Sequence, residues 1–181
     1  MASQNPKQNP SAAPKGAEKA TRKANSQPMD NKQIVHRFIE QCWNEGHTNQ
    51  VAENLADNVR IHDPVFPNLT SGANNMRVHI ETTRRAFPDI KFSIDDTIAE
   101  RNEVVIYWTA RGTHKGDFLG MHPTGRKATV TGTSIYRLEG GRIVEQWAHW
   151  NLMSMMEQLG VPTGTTQQTT QPHMQPTKMN G

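Results

Sequence analysis

Residues 127–150 read KATVTGTSIYRLEGGRIVEQWAHW, and their period decides the fold. Thr129, Thr131, Thr133 and Ile135 fall on one face of a strand over 127–138. Gly140-Gly141 is a tight hairpin turn into a second strand, 142–150. On that second strand Ile143, Glu145, Trp147 and His149 share a face, which Asn151 extends if the strand continues. Upstream, residues 103–114 alternate the same way. Val104, Ile106, Trp108, Ala110, Gly112 and His114 form one set; Val105, Tyr107, Thr109 and Arg111 form the other. The first set holds the larger aromatic, two small residues and a terminal histidine, so it is read as inward-facing. A further strand starts at Ile90, with Phe92, Ile94 and Ile98 alternating against Lys91, Ser93, Asp95 and Thr97. Every such face rests on strict alternation, and one bulge reverses it.

Before these strands the period is helical. Asp30 and Gln33 make a capping box. Ile34, Val35, Phe38, Ile39, Cys42 and Trp43 then line one helical face that Gly46 ends. Cys42 lies on this stripe and is read as a small buried hydrophobe rather than a nucleophile. A short helix over 49–56 and a strand over 57–63 follow. A helix over 72–86, with Met76, Ile80, Thr83 and Phe87 on one face, stops at Pro88. A last helix over 151–159 carries Leu152, Met153, Met156 and Leu159 and closes at Gly160 and Pro162. The order α-α-β-α-β-β-β-β-α implies an α+β fold. A curved antiparallel sheet wrapped around N-terminal helices would enclose an apolar pocket, a common small-molecule site.

The chain has 181 residues, enough for one domain. Residues 1–28 contain no aromatic and no β-branched apolar side chain, and 163–181 have the same character. Such segments bury too little surface to offset their ordering entropy, so 1–29 and 163–181 are expected to be disordered tails flanking a domain at 30–162. The formal charge is +3. The excess is in the tails, because 30–162 holds 14 basic and 16 acidic residues. The domain therefore has no electrostatic case for nucleic acid. One cysteine excludes an internal disulfide and any cysteine-based zinc site. Neither HxxxH nor HxH occurs, and GxGxxG, GxxxxGK[ST] and GxSxG are all absent. No metal and no cofactor is expected. No apolar run approaches the ~18 residues of a membrane helix, and no signal-peptide stretch is seen, so a cytoplasmic protein is expected.

Histidine titrates near neutrality and is the natural acid/base of a cofactor-free pocket. The candidates are His62, His114, His149 and Asn151, with Trp108 and Trp147 as walls. Each has a plain structural alternative: a turn contact for His62, a loop contact for His114, a satisfied core position for His149. His36, His47, His79 and His122 are assigned to surface or loop positions.

HDP (62–64), AFPD (86–89), GTHKGDFLGMHPTGR (112–126), YRLEGGRIVEQW (136–147) and MMEQLG (155–160) together resemble the SnoaL-like polyketide or ester cyclase family. The resemblance runs from about residue 30 to 160. It implies a cone-shaped α+β barrel of the nuclear transport factor 2 type with a deep apolar pocket. It also implies a homodimer or homotetramer packed through the outer sheet face, here Val105, Tyr107, Thr109, Thr129, Thr131, Thr133 and Ile135. Family cyclases close a ring by intramolecular aldol condensation without metal or cofactor. Members commonly place an Asp acid/base just before the last short helix. Here that position is Asn151, which has no proton to exchange near neutral pH but can donate a hydrogen bond. Two readings stay open. One is an enzyme acting on a small apolar carbonyl compound, with His149 or His114 as acid/base, Asn151 as donor, and Trp108, Trp147 and His62 against the substrate. The other is a non-catalytic protein that binds a small apolar ligand in the same pocket.

Overall fold

The computed structural model describes residues 30–161. Both expected tails, and Pro162 at the end of the expected domain, lie outside the described residues.

Helix α1 spans Asn31–Phe38, and the backbone N–H of Asp30 donates to Gln33 Oε1 at 3.2 Å, as the capping box requires. The expected unbroken helix to Gly46 is not what forms. From Ile39 to Asn44 the chain widens to π-helical pitch, with the Glu45 N–H on the Glu40 carbonyl at 2.9 Å. The wider turn keeps Phe38, Ile39, Cys42 and Trp43 all buried. A 3₁₀ turn, Thr48–Gln50, runs into α2, Val51–Asn54. Strand β1 is Leu55–His62, and α3 is Ala73–Ala86. Four strands follow: β2 (Lys91–Glu100), β3 (Glu103–Thr113), β4 (Lys127–Glu139) and β5 (Arg142–Trp150). Helix α4, Leu152–Leu159, ends the fold.

The five strands form one curled sheet in the order β1-β5-β4-β3-β2. The β2-β3-β4-β5 meander is antiparallel, as its alternation implied. β1 is an exception to the expected antiparallel sheet: it pairs with β5 in parallel. A parallel neighbour needs a long connection, and the chain between β1 and β5 supplies it. Gly140 and Gly141 both have positive φ, 56° and 78°, the backbone of a type I′ hairpin turn. The concave face packs on α1, its π-helical extension and α3, and Phe38, Ile80, Ile106, Tyr136 and Ile143 are among the fully buried side chains.

Two bulges reset the facing of side chains. Arg137 pairs with Glu145 while Leu138 pairs with Ile143, so Val144 is an extra residue on β5. Ile143 faces the core, but beyond the bulge it is Gln146, Ala148 and Trp150 that turn inward. Trp147 and His149 therefore face out, against the expectation from strict alternation. A second register shift between Ile94 and Asp96 does the same on β2, leaving Ile98 63% exposed. β3 has no bulge in its pairing with β4, and Val104, Ile106, Trp108 and Ala110 are buried as expected.

Candidate active site

The curl of the sheet over the helices leaves a cavity of about 120 Å³. Its helical wall is Ile39, Trp43 and Met76; its sheet wall is Trp108, Ala110 and Trp150. Aromatic rings pack around it: Phe92 lies tilted 5.0 Å from Trp43 and 5.2 Å from Trp108. Phe118, from the loop after β3, packs 5.2 Å from Phe87 and 6.0 Å from Phe66. The lining is largely apolar, so each polar group in it stands out.

Trp108 is the sequence-predicted residue that the structure does bring to the cavity. It is 7% exposed, and its Nε1 donates to Ser134 Oγ at 3.0 Å. Opposite it in the β3-β4 ladder is Gly132, where a Cβ would come within 2.3 Å of the indole. Glycine at 132 is what lets the ring lie flat against the sheet.

The other sequence candidates lie elsewhere. His62 is half-exposed on the outer face, with Nε2 2.9 Å from Glu145 Oε1 and its ring stacked on Trp147 at 5.1 Å. The Glu145 carboxylate also accepts from Arg60 Nε at 3.0 Å and from Arg137 at 2.8 Å. These partners, Arg60 foremost, hold its pKa down at about 2, although the side chain is only 6% exposed. Arg137 lies over the Trp147 ring at 5.1 Å. His62, Trp147 and Glu145 thus belong to one outer-face cluster, not to a cavity wall. His149 is exposed on the same side of the sheet. Asn151 is exposed and caps α4, its Oδ1 accepting from the Ser154 N–H at 2.9 Å. His114 is fully buried behind the cavity, stacked 5.1 Å from Phe87, with Nδ1 3.2 Å from Thr124 Oγ1. Cys42 is buried as expected, and burial pushes its thiol up to about 11, away from nucleophilic use.

Asp63, His79 and Gln146 line the cavity and were not singled out by sequence as site residues. Asp63 follows Ile61 by two residues and so continues the inward face of β1 past its end. Its Oδ1 accepts from the Val65 N–H at 2.8 Å and its Oδ2 from Trp150 Nε1 at 3.3 Å. His79 stands one turn from Met76 and Thr83 on the buried stripe of α3. Its ring meets Phe66 at 4.4 Å and Trp43 at 5.7 Å, both edge to face. Burial lowers its pKa to about 4, against a smaller upward pull from the Asp63 charge. His79 is therefore a neutral imidazole at pH 7 among aromatic rings, in the same cavity as Asp63. Among the described residues, no group of three or more His, Cys, Asp or Glu side chains could hold a metal ion.

An apolar cavity at the mouth of a curled α+β sheet, with one carboxylate and one neutral histidine, is the setting for the comparisons with known proteins. The family model for SnoaL-like polyketide cyclase matches residues 33–159. The chain belongs to the SnoaL-like polyketide cyclase family. Among solved structures it is similar to TsrD from Streptomyces laurentii, at 25% identity and TM-score 0.66, over 72% of this chain and 94% of that one. It is similar to IdmH from Streptomyces antibioticus at 28% identity and TM-score 0.64, over 74% of this chain and 100% of that one. A SnoaL-like polyketide cyclase from Agrobacterium tumefaciens shares the fold at 17% identity and TM-score 0.62, over 73% of this chain and 99% of that one. No curated protein sequence matches the chain. Among the described residues no helix is long and apolar enough to cross a membrane.

Proposed function

We propose that this SnoaL-like protein is a cofactor-free enzyme that moves a proton next to the carbonyl of a small apolar compound, in a cyclisation or isomerisation. The observation that carries the reading is His79: an uncharged imidazole that shares an aromatic cavity with Asp63. The roles divide by chemistry. With a pKa of about 4, His79 is a poor base at pH 7, but its ring N–H donates well to a carbonyl oxygen that is becoming an enolate. Asp63, held by Val65 and Trp150, takes the α-proton. In a cyclisation the enolate carbon then attacks a second carbonyl, and Asp63 returns its proton to the alkoxide formed. Atoms balance within one substrate. The acid/base role thus passes from the expected His149 or His114 to the Asp63–His79 pair, and Trp108 keeps its place against the substrate. A cavity of about 120 Å³ matches the volume scale that encloses one benzene-sized molecule, so the enclosed part of the substrate is about one ring.

One observation favours the second reading, a non-catalytic binding protein: position 151 carries an amide that caps a helix, not a carboxylate. Hydrogen–deuterium exchange at the α-carbon of acetophenone separates the two. The enzyme reading expects wild type to accelerate exchange and Asp63→Asn to lose about 10²–10⁴ of that rate while still binding the ketone. A wild type that binds the ketone and never exchanges its protons is a binding protein. A cytoplasmic homo-oligomer packed through Val105, Tyr107, Thr133 and Ile135 completes the proposal; these side chains are half-buried or exposed on the outer face.

A further inference from the structure

Among the described residues four buried side-chain polar atoms have no hydrogen-bond partner: Gln41 Oε1, Gln50 Oε1, His114 Nε2 and Gln146 Oε1. Of these residues only Gln146 lines the cavity. The residue is 6% exposed, it lies between Tyr136 and Ile61 in the β4-β5-β1 ladders, and its Oε1 has no hydrogen-bond partner. Buried polar groups are normally paired, and leaving one unpaired costs more than an apolar side chain of the same shape would. Two other polar side chains of the cavity are occupied. Ser134 accepts from Trp108 and contacts the Tyr136 hydroxyl; both Asp63 oxygens accept. His79 and Gln146, along with Thr83 and Arg111, have polar atoms to offer a ligand.

We infer that Gln146 selects a hydroxylated ketone: the ligand hydroxyl donates to Gln146 Oε1 while its carbonyl accepts from His79. This deepens the proton-transfer reading and rests on it for the carbonyl. The partner of Gln146 is neutral, because the amide carries no charge to offset an ion and the surrounding walls are apolar. It is a donor, because the buried orphan is an acceptor. A hydroxyacetophenone carries both groups on one ring of the size that the cavity encloses.

The test is binding, not turnover. Affinities of the full-length protein for acetophenone, 2-hydroxy-1-phenylethanone, 3-hydroxyacetophenone and 4-hydroxyacetophenone are read from tryptophan fluorescence. At least one hydroxyketone is expected to bind about tenfold tighter than acetophenone, the worth of one buried hydrogen bond. Gln146→Met keeps the volume and removes the amide. It should abolish that preference and leave the melting temperature of the free protein equal or higher. Three hydroxyketones that bind no tighter than acetophenone overturn the inference while leaving the cavity reading standing. So does a preference that survives Gln146→Met, or a lowered melting temperature with the preference intact, which makes the amide structural. If none of the four compounds binds, both the inference and the cavity reading fall.

Discussion

Gly132→Ala is the substitution whose effect the structure sets most narrowly. The residue has ordinary backbone angles for a strand, so the outcome depends on space alone. A Cβ there would sit 2.3 Å from Trp108 Cζ2, 2.7 Å from Cη2 and 2.8 Å from the His149 carbonyl oxygen. Ordinary contact begins at 3.4 Å, so the indole must retreat by about 1.1 Å. The carbonyl belongs to β5 and is fixed by its ladder with β4, so the ring moves, and the space open to it is the cavity. Overpacking of this kind costs about 1–3 kcal/mol. Pulling Trp108 Nε1 off Ser134 Oγ adds about 1 kcal/mol. A loss of about 2–4 kcal/mol lowers the melting temperature of a domain of this size by roughly 8–16 °C. Acetophenone affinity should fall at least about tenfold as the ring enters its space, a loss of about 1.4 kcal/mol. Trp108→Phe in the same chain removes the indole atoms that clash and leaves only the His149 carbonyl contact, so the double variant should be more stable than the sum of the singles by about 1–2 kcal/mol. A Gly132→Ala protein that melts within about 2 °C of wild type and binds acetophenone normally refutes the packing argument.

Acid should destabilise the protein in two windows. His79 has its folded pKa depressed from 6.5 to about 4, so the unfolded chain binds more protons between those values. Stability is full above pH 6.5 and falls by up to about 3 kcal/mol as pH drops to 4, and urea titrations of His79→Leu should show that slope gone. Glu145, depressed from 4.5 to about 2, adds a second loss below pH 4.5 that Glu145→Gln removes. Asn151→Ala should cost about 1 kcal/mol through the lost α4 cap, and Asn151→Asp should be near neutral, with neither altering ketone exchange. His149→Ala should leave exchange unchanged because its side chain faces away from the cavity; an exchange rate that collapses instead would return the acid/base role to the outer face.

The legible parts of this fold were those where one local rule acts alone. Alternation on β3 placed Trp108 inward correctly, because no extra residue interrupts its pairing with β4. The same rule failed on β5 after Val144 and on β2 after Ile94. Neither bulge carries a glycine or proline to mark it; tertiary pairing sets both. The failure on β5 decided the site, since it exchanged Trp147 and His149 for Gln146, Ala148 and Trp150. HDP was read one residue off for a related reason. His62 draws attention as a titratable group, yet Leu55, Val59 and Ile61 are the buried residues of β1, and counting on by two from Ile61 reaches Asp63. His79 carried a weaker signal, three residues after Met76 and four before Thr83. Its aromatic surroundings come from Phe66 and Trp43, distant in sequence, and no local pattern announces them. The π-helical stretch after Phe38 was hidden as well, because its stripe fits an α-helix equally.

The claim that Asp63 and His79 work on a carbonyl inside the curl of the sheet is met most directly by a crystal structure with acetophenone bound. The ketone oxygen should lie within hydrogen-bond reach, about 3 Å, of a His79 ring nitrogen, with the methyl carbon turned toward the Asp63 carboxylate and the phenyl ring among Trp43, Phe92 and Trp108. A ketone bound on the outer face beside His62, Trp147 and His149, or one in the cavity with its carbonyl turned away from His79, would contradict it.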